Sequence, residues 1–181
     1  MKPLLKMIMK HYGFFCLVLL FPFAAMANVD NIFQTINERL MYMEDVALYK
    51  AQHHLPIEDI AREKKVLASA THAASQLGLP ANKVEVFFKA QIAVAKAIQY
   101  RYRAQWLAMP TLATPKDLQT QVRPALIQLG KQLNTELSAY VKQGGHFVPK
   151  QYQYFSDAIK VKYVTEADKK LLFNALMQVT Q

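Results

Sequence analysis

The chain has 181 residues, 52% of them hydrophobic, with 22 basic and 13 acidic residues, a formal charge of +9 and one cysteine. That length suits one domain with a sizeable core, and a single cysteine excludes an internal disulfide. Lys2, Lys6 and Lys10 precede an apolar run over residues 13–23, and Ala25-Met26-Ala27 supplies small residues at the −3 and −1 positions. Residues 1–27 therefore read as a cleaved signal peptide, leaving a mature domain of residues 28–181 in the periplasm or outside the cell. The apolar run is shorter than the roughly 18 residues of a membrane span. Cys16 lies within it, without a lipoprotein-type cleavage box. No stable membrane association is expected after cleavage. Removing three lysines and no acid takes the charge from +9 to +6 and also removes the only thiol. A modest positive charge outside the cytoplasm suits an anionic small molecule better than nucleic acid.

Every later segment of useful length has helical rather than alternating periodicity, so the expected fold is all-α, a single bundle of about six helices. A first helix is expected over residues 30–49. A second begins near Pro56, with proline in the first turn, and ends at Leu77-Gly78. Asn82 with Glu85 three residues on reads as a capping-box start for a long third helix reaching Trp106. Residues 109–115 form a connector. Residues 114–117 open a fourth helix, kinked or restarted at Pro124, which ends at Gly144-Gly145. Two shorter helices fill residues 147–181, the last capped by Thr165 with Asp168.

Several polar residues fall on the apolar stripes of these helices. The first stripe runs through Ile32, Ile36, Met43 and Val46, with Arg39 and Lys50 in its middle, eleven residues apart and nearly eclipsed at 100° per residue. On the second helix Asp59, Arg62 and Glu63 share a face with Val66, Ala70 and Ala73. The third stripe contains Gln91 and Gln99. Buried charge is costly unless paired. Three cations (Arg39, Lys50, Arg62) against two acids (Asp59, Glu63), with Arg123 beyond them, leave a positive excess that fits an anionic ligand, a carboxylate held by arginine forks. His53-His54 beside Glu58-Asp59 lacks metal-ligand spacing and reads as an exposed turn. Lys64-Lys65, Arg101 and Arg103 read as solvated outer faces. Tyr152, Tyr154 and Phe155 read as packing of the C-terminal helices. No nucleophile elbow, phosphate loop or dinucleotide fingerprint is present.

Three elements resemble the secreted, gamma-class members of the all-helical (type II) chorismate mutase family. They are the Arg39…Lys50 spacing, the segment "LPIEDIAR" and the pattern "FFKAQIxxAKxIQ". The core match covers residues 36–126, running from "INERLMYMEDVALYK" through "VEVFFKAQIAVAKAIQYRYRAQW" to a looser "DLQTQVRPAL". Residues 147–181 match only as a helical buttress. The resemblance implies the rearrangement of chorismate to prephenate in the aromatic amino acid branch of the shikimate pathway, by a homodimer without cofactor or metal. Carried over residue by residue, it implies that Lys50 and Gln99 bracket the ether oxygen. Arg39 and Arg123 would bind the carboxylates with help from Arg62, Glu63 would take the ring hydroxyl, and Asp59 would act one turn before Arg62. Ala95 stands where related enzymes often carry Ser or Thr, which removes one carboxylate contact. That departure sustains an alternative, a periplasmic all-helical protein that binds an aromatic or dicarboxylate ligand without turnover. A third reading is a structural helical protein with an internal salt-bridge network.

Overall fold

The computed structural model describes residues 29–180, and the expected signal peptide lies outside them. The regular structure of the described residues is all helical, with no strand among them. Its α-helices are α1 (Val29–Met41), α2 (Met43–Gln52), α3 (Ile60–Gln76), α4 (Ala81–Ala108), α5 (Arg123–Lys142), α6 (Tyr152–Ala158) and α7 (Glu166–Val179). A π-helical turn, Leu118–Val122, leads into α5, and a 3-10 turn, Pro149–Gln151, leads into α6. These are the expected helices with the first divided. Tyr42 has ψ −10°, about 30° from the helical mean, so the ladder breaks for one residue between α1 and α2.

α4 is the axis. Its 28 residues span about 42 Å at 1.5 Å per residue, and it packs against α2, α3 and α7, while α1 packs on α5 and α6. Phe87, Phe88, Val94 and Ile98 of α4 are buried with Ile32, Phe33 and Ile36 of α1 and Leu133 and Leu137 of α5. Phe33 meets Phe155 edge-on at 5.1 Å and Phe155 lies 5.3 Å from Phe173, so the C-terminal aromatics pack α6 and α7 onto α1 as expected.

Two helix starts differ from expectation. α3 begins at Ile60, because Asp59 accepts a hydrogen bond from the Arg62 amide (3.0 Å) and so takes the N-cap. Pro56 falls in the preceding link. α4 begins after Pro80, with no side-chain cap, and Glu85 pairs with Lys89 at 2.6 Å instead of reaching back to Asn82. The start of the fourth helix agrees with expectation, and its π geometry has a cause. Pro124 has no N–H to offer the Thr120 carbonyl, and the preceding turn widens: Val122 N–H bonds Asp117 O at 3.0 Å, five residues back. Asp117 caps the turn, accepting from the Thr120 hydroxyl and from the amides of Thr120 and Gln119, bonds that hold its carboxyl below the ordinary value.

Arg101 and Arg103 are corrected from solvated charge to structural contacts. Arg101 pairs with Asp168 (2.5 Å) and donates to the Tyr163 carbonyl (2.7 Å), and Arg103 donates to the Leu55 carbonyl. The periodicity missed them because α7 and the link before α3 cover flanks of α4 that its own apolar stripe leaves out. Asp168 also completes the expected Thr165 capping box. Burial raises the Asp168 carboxyl, but the Arg101 and Thr165 hydrogen bonds outweigh it and the net shift is downward. A depressed acid contributes stability that is present above its unfolded value near 4 and lost as pH falls through the folded value. Asp168→Ala should therefore lower stability by about 2 kcal/mol at neutral pH, through loss of a cap and a half-buried ion pair. In denaturant titrations the gap to the parent should close below about pH 4.

Candidate active site

α1, α2, α3, α4 and the start of α5 enclose one cavity of about 450 Å³. All seven site residues anticipated from the sequence line it: Arg39, Lys50, Asp59, Arg62, Glu63, Gln99 and Arg123. Each comes from a regular element or its cap. Arg39 is in the last turn of α1 and Lys50 in the last turn of α2. Asp59, Arg62 and Glu63 form the start of α3, Gln99 projects from the middle of α4, and Arg123 follows the π turn.

The hydrogen bonds show how the cations are held. The Nε of Arg39 donates to Gln91 Oε1 and its Nη1 to the Leu126 carbonyl, each at 2.8 Å, and its guanidinium lies 5.3 Å from the Phe88 ring centre. Burial pushes its pKa down to about 10, so it stays charged at neutral pH. Lys50 is 9% exposed, and its Nζ donates to the Ile57 carbonyl. Burial lowers its pKa, Arg103 and Arg123 lower it further, and Asp59 and Glu63 oppose the shift. Gln99, 4% exposed, donates from Nε2 to the Ala95 carbonyl at 3.0 Å and, weakly, to Met43 Sδ at 3.5 Å.

The two carboxylates are already matched. Asp59 lies 3.7 Å from Arg123, and Glu63 lies 3.3 Å from Lys96. Arg39, Lys50 and Arg62 have no ion-pair partner among the described residues. The cavity wall carries seven basic side chains against two acidic ones. Lys65, expected on an outer face, is exposed but at the cavity rim. The chemistry open to this arrangement is capture of a small polyanion and stabilisation of negative charge within it. His53 and His54 are exposed at the turn after α2, as expected, with His53 stacked on Tyr49 at 3.9 Å.

The sequence reading left out Lys96, Lys131 and Asn134, which also line the cavity. Asn134 is 1% exposed and lies eleven residues after Arg123, the same near-eclipsed spacing that marked Arg39 and Lys50. That spacing was the available signal. Lys96 is three residues before Gln99, one helical turn away, but it belongs to the flank of the stripe and acquires its place only through Glu63 on α3.

The chain is similar to known proteins over most of its length. Residues 26–100 match the family described as chorismate mutase type II. A monofunctional chorismate mutase from Enterobacter agglomerans is 38% identical over 152 residues, 84% of this chain and 83% of that protein. A secreted chorismate mutase from Yersinia pestis is 41% identical over 145 residues, 80% of this chain and 77% of that protein. The crystal structure of a secreted chorismate mutase from Yersinia pestis covers 82% of this chain and 96% of its own, with a TM-score of 0.76 at 39% identity. The chain belongs to the all-helical, type II chorismate mutase family.

Proposed function

We propose that this protein is an exported chorismate mutase that converts chorismate to prephenate in the cavity lined by α1 to α5. It is an isomerase. The ether C–O bond breaks as a C–C bond forms between the enolpyruvyl methylene and the ring carbon bearing the carboxylate, with every atom and electron retained in the substrate. The observation that carries the reading is that Arg39, Lys50 and Arg62 converge on one cavity without carboxylate partners among the described residues. Chorismate is a dianion with an ether oxygen that gains negative charge in the transition state. The arginines would hold its carboxylates in the folded, near-attack conformer. Lys50, with one N–H on Ile57 and two to spare, would face the ether oxygen, and Gln99 would turn to it the Nε2 N–H that rests on Met43 Sδ at 3.5 Å. Glu63 would accept the ring hydroxyl, and Asp59 would hold Arg123 and cap α3. Similarity to a relative named as secreted supports export, which fits cleavage after Ala27. Pairing as a homodimer belongs to the same reading, and sedimentation of the mature protein tests it. The relatives are named as enzymes, which supports turnover over a binding protein without it despite the alanine at position 95.

Loss of chorismate absorbance on adding the purified mature protein tests the activity; ligand-induced stabilisation without turnover would reverse the reading. Lys50→Met should lower kcat by about a hundredfold or more while leaving stability equal to, or about 1 kcal/mol above, the parent. The folded protein gives up the Lys50 proton more readily than the unfolded chain. Parental stability should therefore rise with pH between the depressed value and about 10.4, and the variant should not share that rise.

Gln99→Glu keeps the shape but makes donation depend on protonation. A carboxyl with a reference pKa of about 4.3 is almost wholly ionised at pH 7.5, even if burial raises it by one or two units. The variant should be poor at neutral pH and recover toward pH 5, while the parent profile stays flat. Parallel profiles of kcat/KM between pH 4.5 and 8 would remove Gln99 from the ether oxygen.

A further inference from the structure

Gly130 stands in the middle of α5 with ordinary helical backbone, where glycine is disfavoured relative to alanine. Nothing about its own conformation calls for glycine. A Cβ built at this position would lie 3.1 Å from Arg39 Nη1, closer than such contacts normally come. In an α-helix the Cβ at one position leans back over the turn before it, and the carbonyl four residues earlier is Leu126 O. That is the carbonyl to which Arg39 Nη1 donates at 2.8 Å. The missing side chain therefore opens a backbone acceptor to a guanidinium arriving from another helix.

Gln91 works from the opposite side. It is 3% exposed, and Arg39 has only donors to present, so the Gln91 atom facing Nε must be the amide oxygen. The amide is thereby fixed, and its Nε2 is left buried without a partner. A glutamine serving packing alone would not be expected to leave a buried donor unmade. Here the carbonyl end is used and the other end sacrificed. Arg39 spends two of its five N–H donors on these contacts, and three remain for a ligand.

We propose that Gln91 and Gly130 are positioning residues for Arg39, a two-sided cradle that sets the direction of its free donors toward the substrate carboxylate. The assignment rests on the mutase reading. It gains weight from Ala95, one turn after Gln91 on α4, which has no hydroxyl to share that carboxylate and leaves orientation to Arg39.

Gly130→Ala separates positioning from structure. Alanine favours the helix, so thermal stability should be equal or higher, while the KM for chorismate rises about tenfold, the scale of a weakened charged hydrogen bond, with kcat less affected. In an Arg39→Lys background there is no Nη1 to displace, and the same substitution should cost nothing further. Gln91→Met, which keeps volume but removes the acceptor, should raise KM similarly, and its effect should likewise vanish with Arg39→Lys. Unchanged KM in Gly130→Ala, or losses that multiply independently of Arg39, would overturn the cradle. Absence of turnover in the parent would instead overturn the mutase reading, and the two failures are distinguishable.

Discussion

Cations brought together without an equal number of carboxylates repel one another and resist leaving water, and the architecture around Arg39, Lys50 and Arg62 is arranged to bear that cost. Arg39 is offset by an amide oxygen, a backbone carbonyl and an aromatic face, and Lys50 by the Ile57 carbonyl. Arg62 sits in the first turn of α3, beside the positive end of the helix dipole, where the Asp59 cap supplies the opposing charge. These partners are neutral or already shared, so they orient the cations without cancelling them. A bound dianion would complete the balance, and the protein would then be stabilised by what it binds.

The same arrangement suits the chemistry. A unimolecular rearrangement needs no proton acceptor or nucleophile, so what the protein can contribute is geometry and charge set in advance. Setting them in advance requires that the side chains be anchored from behind. The anchors come from interruptions in the helices. The link before α3 frees the Ile57 carbonyl for Lys50, and the π turn ahead of Pro124 sets where Arg123 emerges onto the cavity. The missing side chain at residue 130 uncovers the Leu126 carbonyl for Arg39.

Helical periodicity made the principal cavity-lining polar residues legible, because polar residues at core positions stand out against an apolar stripe. Arg39, Lys50, Arg62, Glu63 and Gln99 were visible for that reason. Features decided between helices were not. Whether Arg101 meets water or Asp168 depends on where α7 packs, 67 residues further along the chain. Lys96 is an ordinary flank lysine until Glu63 arrives from α3. Asn82 and Glu85 form an acceptable capping pattern, yet Pro80 starts the helix two residues earlier and leaves Glu85 to Lys89. The division at Tyr42 has no glycine or proline to announce it; the Tyr42 ring lies 5.1 Å from Lys116, whose amide and ammonium both engage Asp45 on α2. Contacts of that range leave no local trace in composition.

Two clusters of buried charge make the same point about function. Around Asp168, the carboxylate accepts from Arg101 and from the amide and hydroxyl of Thr165, and Arg101 also reaches the Tyr163 carbonyl. Its hydrogen-bonding capacity is largely used, and it ties α7 to α4. Around the cavity the reverse holds. Of the five side-chain atoms buried without a partner among the described residues, three belong to its wall: Gln99 Oε1 and Asn134 Oδ1, and Gln91 Nε2, the end given up so that the amide oxygen can hold Arg39. Burial alone would not distinguish these clusters, since both lie between packed helices. The distinction lies in what remains unmade. A structural network is at its free-energy minimum when closed, whereas a binding site must hold charge and hydrogen-bonding capacity in reserve until the ligand arrives.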